Sequence, residues 1–257
     1  MKIFVFLMGA IVGSFLNVCI YRLPKGRSVI FPGSHCPNCA MAIHWYDNIP
    51  ILSYIFLGGK ARCCKAKISF RYFIVEILTA SAFLILFSTF GLTPKFFAYA
   101  VMVSGLIIAT FVDFEIQEIP DEVSMGGLAV GLVLAIAFPS VLNETTRLNG
   151  FLNSIFGALA GGGMIYVMGM LGEFAFKKEA MGGGDVKLLA MIGAFIGWKL
   201  TVLTFFLAPV FGSVVGIILK IRYGKDIIPY GPYLSLAAIC SIFFGDRIFH
   251  LLFYGLY

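Results

Sequence analysis

Long apolar runs are the feature that most limits what this chain can fold into. Stretches of about 20 hydrophobic residues recur along nearly the whole sequence, and about 20 helical residues are needed to cross the hydrocarbon of a bilayer. Of the 257 residues, 60% are hydrophobic and only 12% are charged. This composition excludes an ordinary soluble domain and predicts an all-α polytopic membrane protein, because helices satisfy their own backbone hydrogen bonds in lipid.

The apolar runs predict about eight transmembrane helices. These helices are expected over residues 3–20, 72–90, 95–112, 123–141, 150–172, 186–198, 200–220 and 231–245. The sixth is short, and we expect it to be half-buried or to merge with its neighbour. The first run is expected to remain as an anchor, because Arg22-Leu23-Pro24 follows it rather than a small-residue cleavage site.

The basic residues predict an orientation in the membrane. Only five of the 19 lysines and arginines fall on one side of the predicted spans: Lys2, Lys95, Arg147, Lys199 and Arg247. The others lie in or beside the connections 22–71, 113–122, 173–185 and 221–230, which the positive-inside rule places in the cytoplasm. Both termini are then expected outside, and the formal charge of +6 reflects topology rather than nucleic-acid binding.

The predicted spans also divide the chain into regions. Residues 1–21 form the first transmembrane helix, and residues 22–71 form a small cytoplasmic loop domain that contains cysteines. Residues 72–257 form a transmembrane domain. The loop is the only sizeable piece expected outside the bilayer.

Two aspartates stand at the ends of hydrophobic spans. Asp113 closes one run, and Asp185 follows three glycines and precedes a helix-forming run. An ionisable group at a bilayer edge is costly and points to a function. Asp185 would also serve as a helix N-cap, and Asp121 as a loop carboxylate. If Asp113 and Asp185 share a site, they are equipped to activate water against a peptide bond, which predicts a membrane aspartic protease.

The loop 22–71 carries four cysteines in two pairs. Cys36 and Cys39 form a C-x-x-C pair that is suited to tetrahedral zinc, and Cys63-Cys64 would complete the site. Adjacent cysteines chelate one metal less readily, so His35 or His44 is an alternative ligand. A disulfide is not expected in a reducing compartment.

Seven motifs occur in a characteristic order along the chain. They are Gly13-Ser14-Phe15-Leu16-Asn17, Cys36-Pro37-Asn38-Cys39, Asn48-Ile49-Pro50-Ile51, Ile68-Ser69-Phe70-Arg71, Val75-Glu76-Ile77, Asp113 to Asp121, and Gly182-Gly183-Gly184-Asp185-Val186-Lys187. With these motifs the chain resembles the type IV prepilin leader peptidase and N-methyltransferase family, and its last motif is similar to the G-x-G-D box of polytopic aspartic proteases.

The resemblance implies a catalytic dyad of Asp113 and Asp185. It implies cleavage of the basic leader of prepilins and pseudopilins after glycine, at the cytoplasmic face of the bacterial inner membrane. Methylation of the new amino terminus with S-adenosylmethionine would follow, carried by residues 22–71. Glu76 is a candidate cofactor-binding residue, although pairing with Arg71 or Arg22 explains it equally well. The second cysteine pair departs from the family's C-x-x-C pattern, because Ala61 stands where the first cysteine is expected.

Two other functions remain open from the residues alone. One is a leader peptidase without methyltransferase activity. The other is a proton-coupled transporter that uses its intramembrane carboxylates as a relay.

Overall fold

The structure, a computed structural model, describes residues 1–36, 38–177, 181–223 and 229–254. Within these ranges the protein is helical, and its only β pairing is two isolated bridges in the loop after the first helix. The helices are α1 (Lys2–Arg22), α2 (Leu52–Phe56), α3 (Phe70–Phe90), α4 (Pro94–Ile116), α5 (Asp121–Ala137), α6 (Arg147–Phe176), α7 (Gly183–Tyr223) and α8 (Gly231–Tyr254). The chain forms two compact units, Met1–Phe96 and Phe97–Tyr257.

Five segments of the described chain are long and apolar enough to cross a membrane. They are Lys2–Lys25, Phe70–Phe90, Pro94–Ile116, Arg147–Ala175 and Gly183–Leu219. Residues Gly231–Gly245 of α8 form a shorter apolar helix. Many large apolar side chains on these helices are exposed, as expected of surfaces that face lipid. The prediction of a polytopic helical membrane protein is confirmed.

The first unit contains α1 and α3, which pack antiparallel through small residues. A Cβ atom added at Gly9 would lie 2.7 Å from the Cα of Ala80, and one added at Gly13 would lie 2.8 Å from the Cα of Glu76. The two helices therefore touch backbone to backbone, which is the packing expected of a small-x-x-x-small pair. The connection between them carries α2 and two 3₁₀ turns, Leu23–Lys25 and Trp45–Asn48.

In the second unit, α7 extends over 41 residues and joins two helices, which correspond to the predicted spans 186–198 and 200–220. The helix is interrupted at Gly197, where φ is 74° and ψ is 169°. Gly161 of α6 lies beside Leu189, which precedes the interruption, and also beside Thr201, which follows it. The chain therefore turns back on itself at Gly197, a conformation that glycine tolerates because it has no Cβ.

Candidate active site

Asp113 lies in the last turn of α4 and is only 5% exposed. Its Oδ2 accepts a hydrogen bond of 2.9 Å from the amide of Gly231. Gly231 is the first residue of α8, so this amide has no partner within its own helix. The contact pairs a buried carboxylate with the positive end of a helix dipole, which favours a negative charge there.

Asp185 lies in the first turn of α7 and is half-buried. Its amide donates to the carbonyl of Gly182 over 3.1 Å, which closes a tight turn before the helix. A Cβ atom at Gly182 would lie 3.4 Å from Oδ2 of Asp185. The glycine-rich segment before Asp185 therefore brings the backbone close to this carboxylate, and larger side chains in that segment would crowd the carboxylate.

The structure brings the two predicted aspartates together. Asp113 and Asp185 lie within electrostatic range of each other. Tyr230 lies within electrostatic range of Asp185, and burial together with this negative charge raises the pKa of its phenol to about 12. The side chain of Ile119 lies close to the backbone of Gly184, which precedes Asp185, and to that of Gly231, which binds Asp113.

Asp121 occupies a different position, at the start of α5. Its carboxylate binds the ammonium group of Lys187 through both oxygens, at 2.7 and 2.9 Å. Both side chains are substantially exposed, at 64% for Asp121 and 41% for Lys187. Asp121 thus forms a surface ion pair that links α5 to α7, as a loop carboxylate would.

The four predicted cysteine ligands form one cluster in the loop after α1. Their Sγ atoms all lie within 4.8 Å of one another. The Cys36 and Cys64 sulfurs are 3.6 Å apart, and those of Cys39 and Cys63 are 3.3 Å apart. Four sulfurs at about 2.3 Å from a tetrahedral zinc ion would be separated by about 3.8 Å, so the donor set fits this metal. His35 and His44 are not part of the cluster.

Two matching turns explain how the irregular second pair reaches the cluster. In the first turn the amide of Ala40 donates to the carbonyl of Cys36, and in the second the amide of Lys65 donates to that of Ala61. Ala40 and Lys65 both have positive φ, at 56° and 58°. Ala61 is therefore the counterpart of Cys36, as the sequence indicates, and the thiol of Cys63 reaches the cluster from a different position of its turn.

The thiols of this cluster differ in acidity. The backbone amides of Cys39 and Asn38 lower the pKa of Cys36 to about 6. The hydrogen bond to Cys39, together with desolvation, raises the pKa of Cys63 to about 12. Binding a divalent cation would favour the thiolate form of all four, because metal binding releases thiol protons.

Glu76 lies in α3 and is only 8% exposed. Its Oε2 accepts a hydrogen bond of 2.7 Å from the amide of Ile51, and the Ser14 hydroxyl is its other partner. The guanidinium of Arg22 donates to the backbone carbonyls of Ser28 and Gly33. Glu76 lines a cavity of about 550 Å³ within the first unit.

Comparison with known proteins gives two family matches along the chain. Residues 7–90 match the bacterial peptidase A24 N-terminal domain, and residues 100–217 match the type IV leader peptidase family. The prepilin leader peptidase/N-methyltransferase of Pseudomonas aeruginosa is 34% identical over 268 residues, which cover 94% of this chain and 90% of that protein. This chain belongs to the type IV leader peptidase family.

Other members of the family show the same level of similarity. The prepilin leader peptidase/N-methyltransferase of Myxococcus xanthus is 36% identical over 223 residues, and the match covers 87% of this chain and 64% of that protein. The type 4 prepilin-like proteins leader peptide-processing enzyme of Escherichia coli is 34% identical over 253 residues, with 91% of each chain covered. No solved structure matches.

Several residues that surround the predicted site were not identified from sequence. Gly231, Tyr230 and Ile119 contact the aspartates or lie between them, although each is an ordinary residue in its local sequence. Asn17 belongs to the opening motif, but its burial was not predicted. A lone amide inside an apolar helix is the signal that would have drawn attention to Asn17.

Proposed function

We propose that this protein cleaves the basic leader peptide of type IV prepilins and pseudopilins after glycine and then methylates the new amino terminus. The observation that carries the peptidase assignment is the electrostatic interaction between Asp113, which is buried, and Asp185, which is half-buried. Membership of the type IV leader peptidase family supplies the substrate class. The enzyme acts in the bacterial inner membrane, on substrates embedded in the same bilayer.

In the peptidase step the two carboxylates divide the acid and base roles. The ionised carboxylate takes a proton from water while the water oxygen bonds to the scissile carbonyl carbon. The protonated carboxylate gives its proton to the leaving nitrogen as the carbon–nitrogen bond breaks. The Gly231 amide occupies Oδ2 of Asp113, which leaves Oδ1 of that carboxylate for the water.

The methyl-transfer step belongs to the loop domain 22–71 and the helices that flank it. S-adenosylmethionine, when bound, supplies an electrophilic methyl group. The chain's contribution is to bind this donor, to exclude water and to accept the proton that the amine must lose before it can attack. Glu76 is the buried carboxylate of this region, and the cavity that it lines is large enough for a ligand of this size.

The cysteine cluster is assigned to zinc, with Cys36, Cys39, Cys63 and Cys64 as ligands. The support is the sulfur spacing and the absence of a disulfide, since all four described cysteines of the cluster are free thiols. A small loop with little apolar core gains much of its folding free energy from a bound metal.

The proposed topology has about eight crossings, with both aspartates at the cytoplasmic face and both termini in the periplasm. The reversal at Gly197 supports two crossings within α7. The loop domain 22–71 then lies on the same side as the aspartates. This arrangement places both reactions at the surface where a basic leader enters.

A reconstitution experiment separates this function from its alternatives. The purified protein in detergent is given a synthetic prepilin with and without S-adenosylmethionine, and the products are weighed by mass spectrometry. We expect loss of the leader, and a further gain of one methyl group only when the donor is present. Cleavage without methylation would support a leader peptidase alone, and no cleavage would favour the transporter.

A further inference from the structure

A cavity within the first unit has the size and chemistry of a ligand site. Its volume is about 550 Å³, within the range of small-molecule pockets. The wall combines residues of α1, of the cysteine-containing loop and of the first turns of α3. It includes the aromatic rings of Tyr21, Tyr54 and Tyr72 and three buried polar side chains, Asn17, Arg22 and Glu76.

Asn17 leaves one strong hydrogen-bond acceptor unused in this wall. The side chain is only 1% exposed. Its Nδ2 donates to the carbonyl of Tyr72 over 3.0 Å and to that of Gly13 over 3.3 Å. Because both neighbours are carbonyls, the amide cannot be turned the other way, and Oδ1 has no donor among the described residues. A buried acceptor without a partner is costly unless a ligand supplies an N–H group.

Glu76 adds a buried carboxylate one helical turn away. Gly13, four residues before Asn17 in α1, touches the Cα of Glu76, and Tyr72 lies four residues before Glu76 in α3. The amide of Ile51 and the hydroxyl of Ser14 hold this carboxylate. A buried carboxylate is favoured when a positive charge lies nearby. The wall also carries four basic side chains, Arg22, Arg62, Lys67 and Arg71. It therefore offers groups for a carboxylate as well as for a cation and a hydrogen-bond donor.

We propose that this cavity is the S-adenosylmethionine site, and that Asn17 Oδ1 and the Glu76 carboxylate bind the cationic methionine end of the donor. The inference rests on the proposed methyltransferase function and deepens it. S-adenosylmethionine carries an ammonium group and a positively charged sulfonium, whereas its product S-adenosylhomocysteine keeps only the ammonium. A carboxylate in the wall thus favours the donor over the spent product.

Binding measurements without prepilin test the two side chains directly. Full-length protein in detergent is equilibrated with radiolabelled S-adenosylmethionine or S-adenosylhomocysteine. We expect Glu76→Gln to weaken binding of S-adenosylmethionine by roughly tenfold or more, since it removes a charge-assisted contact. The ratio of affinities for S-adenosylmethionine and S-adenosylhomocysteine should also decrease. Asn17→Leu should weaken binding of both ligands, because both retain the ammonium group.

Glu173→Gln is the matched control, since Glu173 is exposed on α6 in the other unit. Size-exclusion profiles and melting temperatures report whether each variant is folded. Ultraviolet crosslinking of labelled S-adenosylmethionine to the unaltered protein gives a second readout that needs no variant. We expect the label on peptides within residues 14–76.

The outcomes separate this inference from the proposed function. Suppose that the unaltered protein methylates prepilin. If Glu76→Gln and Asn17→Leu then bind the donor with unchanged affinity, or if the label maps beyond residue 97, the assignment of the cavity is wrong and the proposed methyltransferase activity is retained. If the variants methylate poorly but bind the donor normally, the two residues serve the incoming amine instead. If the unaltered protein neither binds the donor nor methylates, both proposals fail.

Discussion

Asp113 depends on one small neighbour for its environment. The amide of Gly231 binds Oδ2 of Asp113, and the absence of a side chain at Gly231 allows the carboxylate to approach. A Cβ atom at this position would lie 2.8 Å from Oδ2 and 3.3 Å from Cδ1 of Ile119. Such a contact is closer than packed atoms tolerate, so the carboxylate would have to move.

We therefore predict that Gly231→Ala slows leader cleavage by about tenfold or more, which corresponds to about 1.4 kcal/mol in the activation barrier. The effect should fall mainly on kcat, because the carboxylate is displaced while the substrate surface is kept. Gly126→Ala is the control, since a Cβ atom at Gly126 meets nothing within 4 Å. Equal cleavage rates for the two variants would show that the Gly231 contact is unimportant.

The sequence predicts the charged residues of the site but not the apolar and backbone groups that surround them. Asp113 and Asp185 were predictable because a carboxylate at the end of an apolar span is costly. Gly231 was not, because its contact joins residues separated by 118 positions and leaves no local pattern. The sequence marks Asn17 only as part of a motif, since burial of its amide depends on how α3 packs against α1.

At the scale of the helices, α6 and α7 pack through glycines. Gly157 of α6 touches the backbone of Gly193 and of Gly197 in α7, so no side chain fits there. Gly163, on the same helix, has open space where its Cβ atom would lie. These two positions form a matched pair, because the intrinsic effect of replacing a helical glycine by alanine is the same for both.

Gly157→Ala should destabilise the protein by about 1–3 kcal/mol, since the helices must separate to admit the new methyl group. Gly163→Ala should be neutral or slightly stabilising, because alanine favours the helix. Thermal unfolding in detergent measures both changes. Equal melting temperatures for the two variants would contradict the close contact between α6 and α7.

The cysteine loop makes a prediction about metal content. Purified protein should contain one zinc ion per chain, and Cys63→Ser should lower that content because it removes one of four ligands. Moving the thiol in Ala61→Cys/Cys63→Ser should restore binding, since Ala61 occupies the position equivalent to Cys36. Elemental analysis measures the occupancy, with Cys240→Ser as the control outside the loop. Unchanged zinc content in Cys63→Ser would exclude this thiol as a ligand.

The sequence predicts the long helices better than the break within α7. The long spans were foreseeable because length and apolar content alone define them. The break within α7 was foreseen only as a short span beside another. Beside the reversal at Gly197, Oδ1 of Asn153 accepts a hydrogen bond from the amide of Trp198, and this contact across 45 positions leaves no local pattern in the sequence.

For the whole molecule, the proposed topology predicts which connections an impermeant thiol reagent can reach. Leu92→Cys, in the connection after α3, should react in intact spheroplasts because that connection is proposed to face the periplasm. Glu118→Cys, in the connection after α4, should react only after lysis. Both positions are exposed in the structure, and the unaltered protein gives the background from native cysteines. Labelling of Glu118→Cys in intact spheroplasts would show that the orientation in the membrane is opposite to the one proposed.

The proposed peptidase mechanism of the whole enzyme requires that Asp113 and Asp185 form a single site. Replacing either aspartate with asparagine keeps its size and removes its capacity as acid or base. Asp121→Asn is the matched control, because Asp121 forms an exposed ion pair with Lys187, and such a pair contributes about 0–1 kcal/mol.

The decisive measurement is the rate of prepilin cleavage by the three purified variants in detergent, with equal melting temperatures as the condition for comparison. We expect Asp113→Asn and Asp185→Asn each to lose cleavage by roughly a thousandfold or more. Because the two carboxylates act as a unit, the double variant should be no slower than either single variant. Asp121→Asn should remain within about threefold of the unaltered enzyme. Cleavage retained by Asp113→Asn or by Asp185→Asn would contradict the shared site.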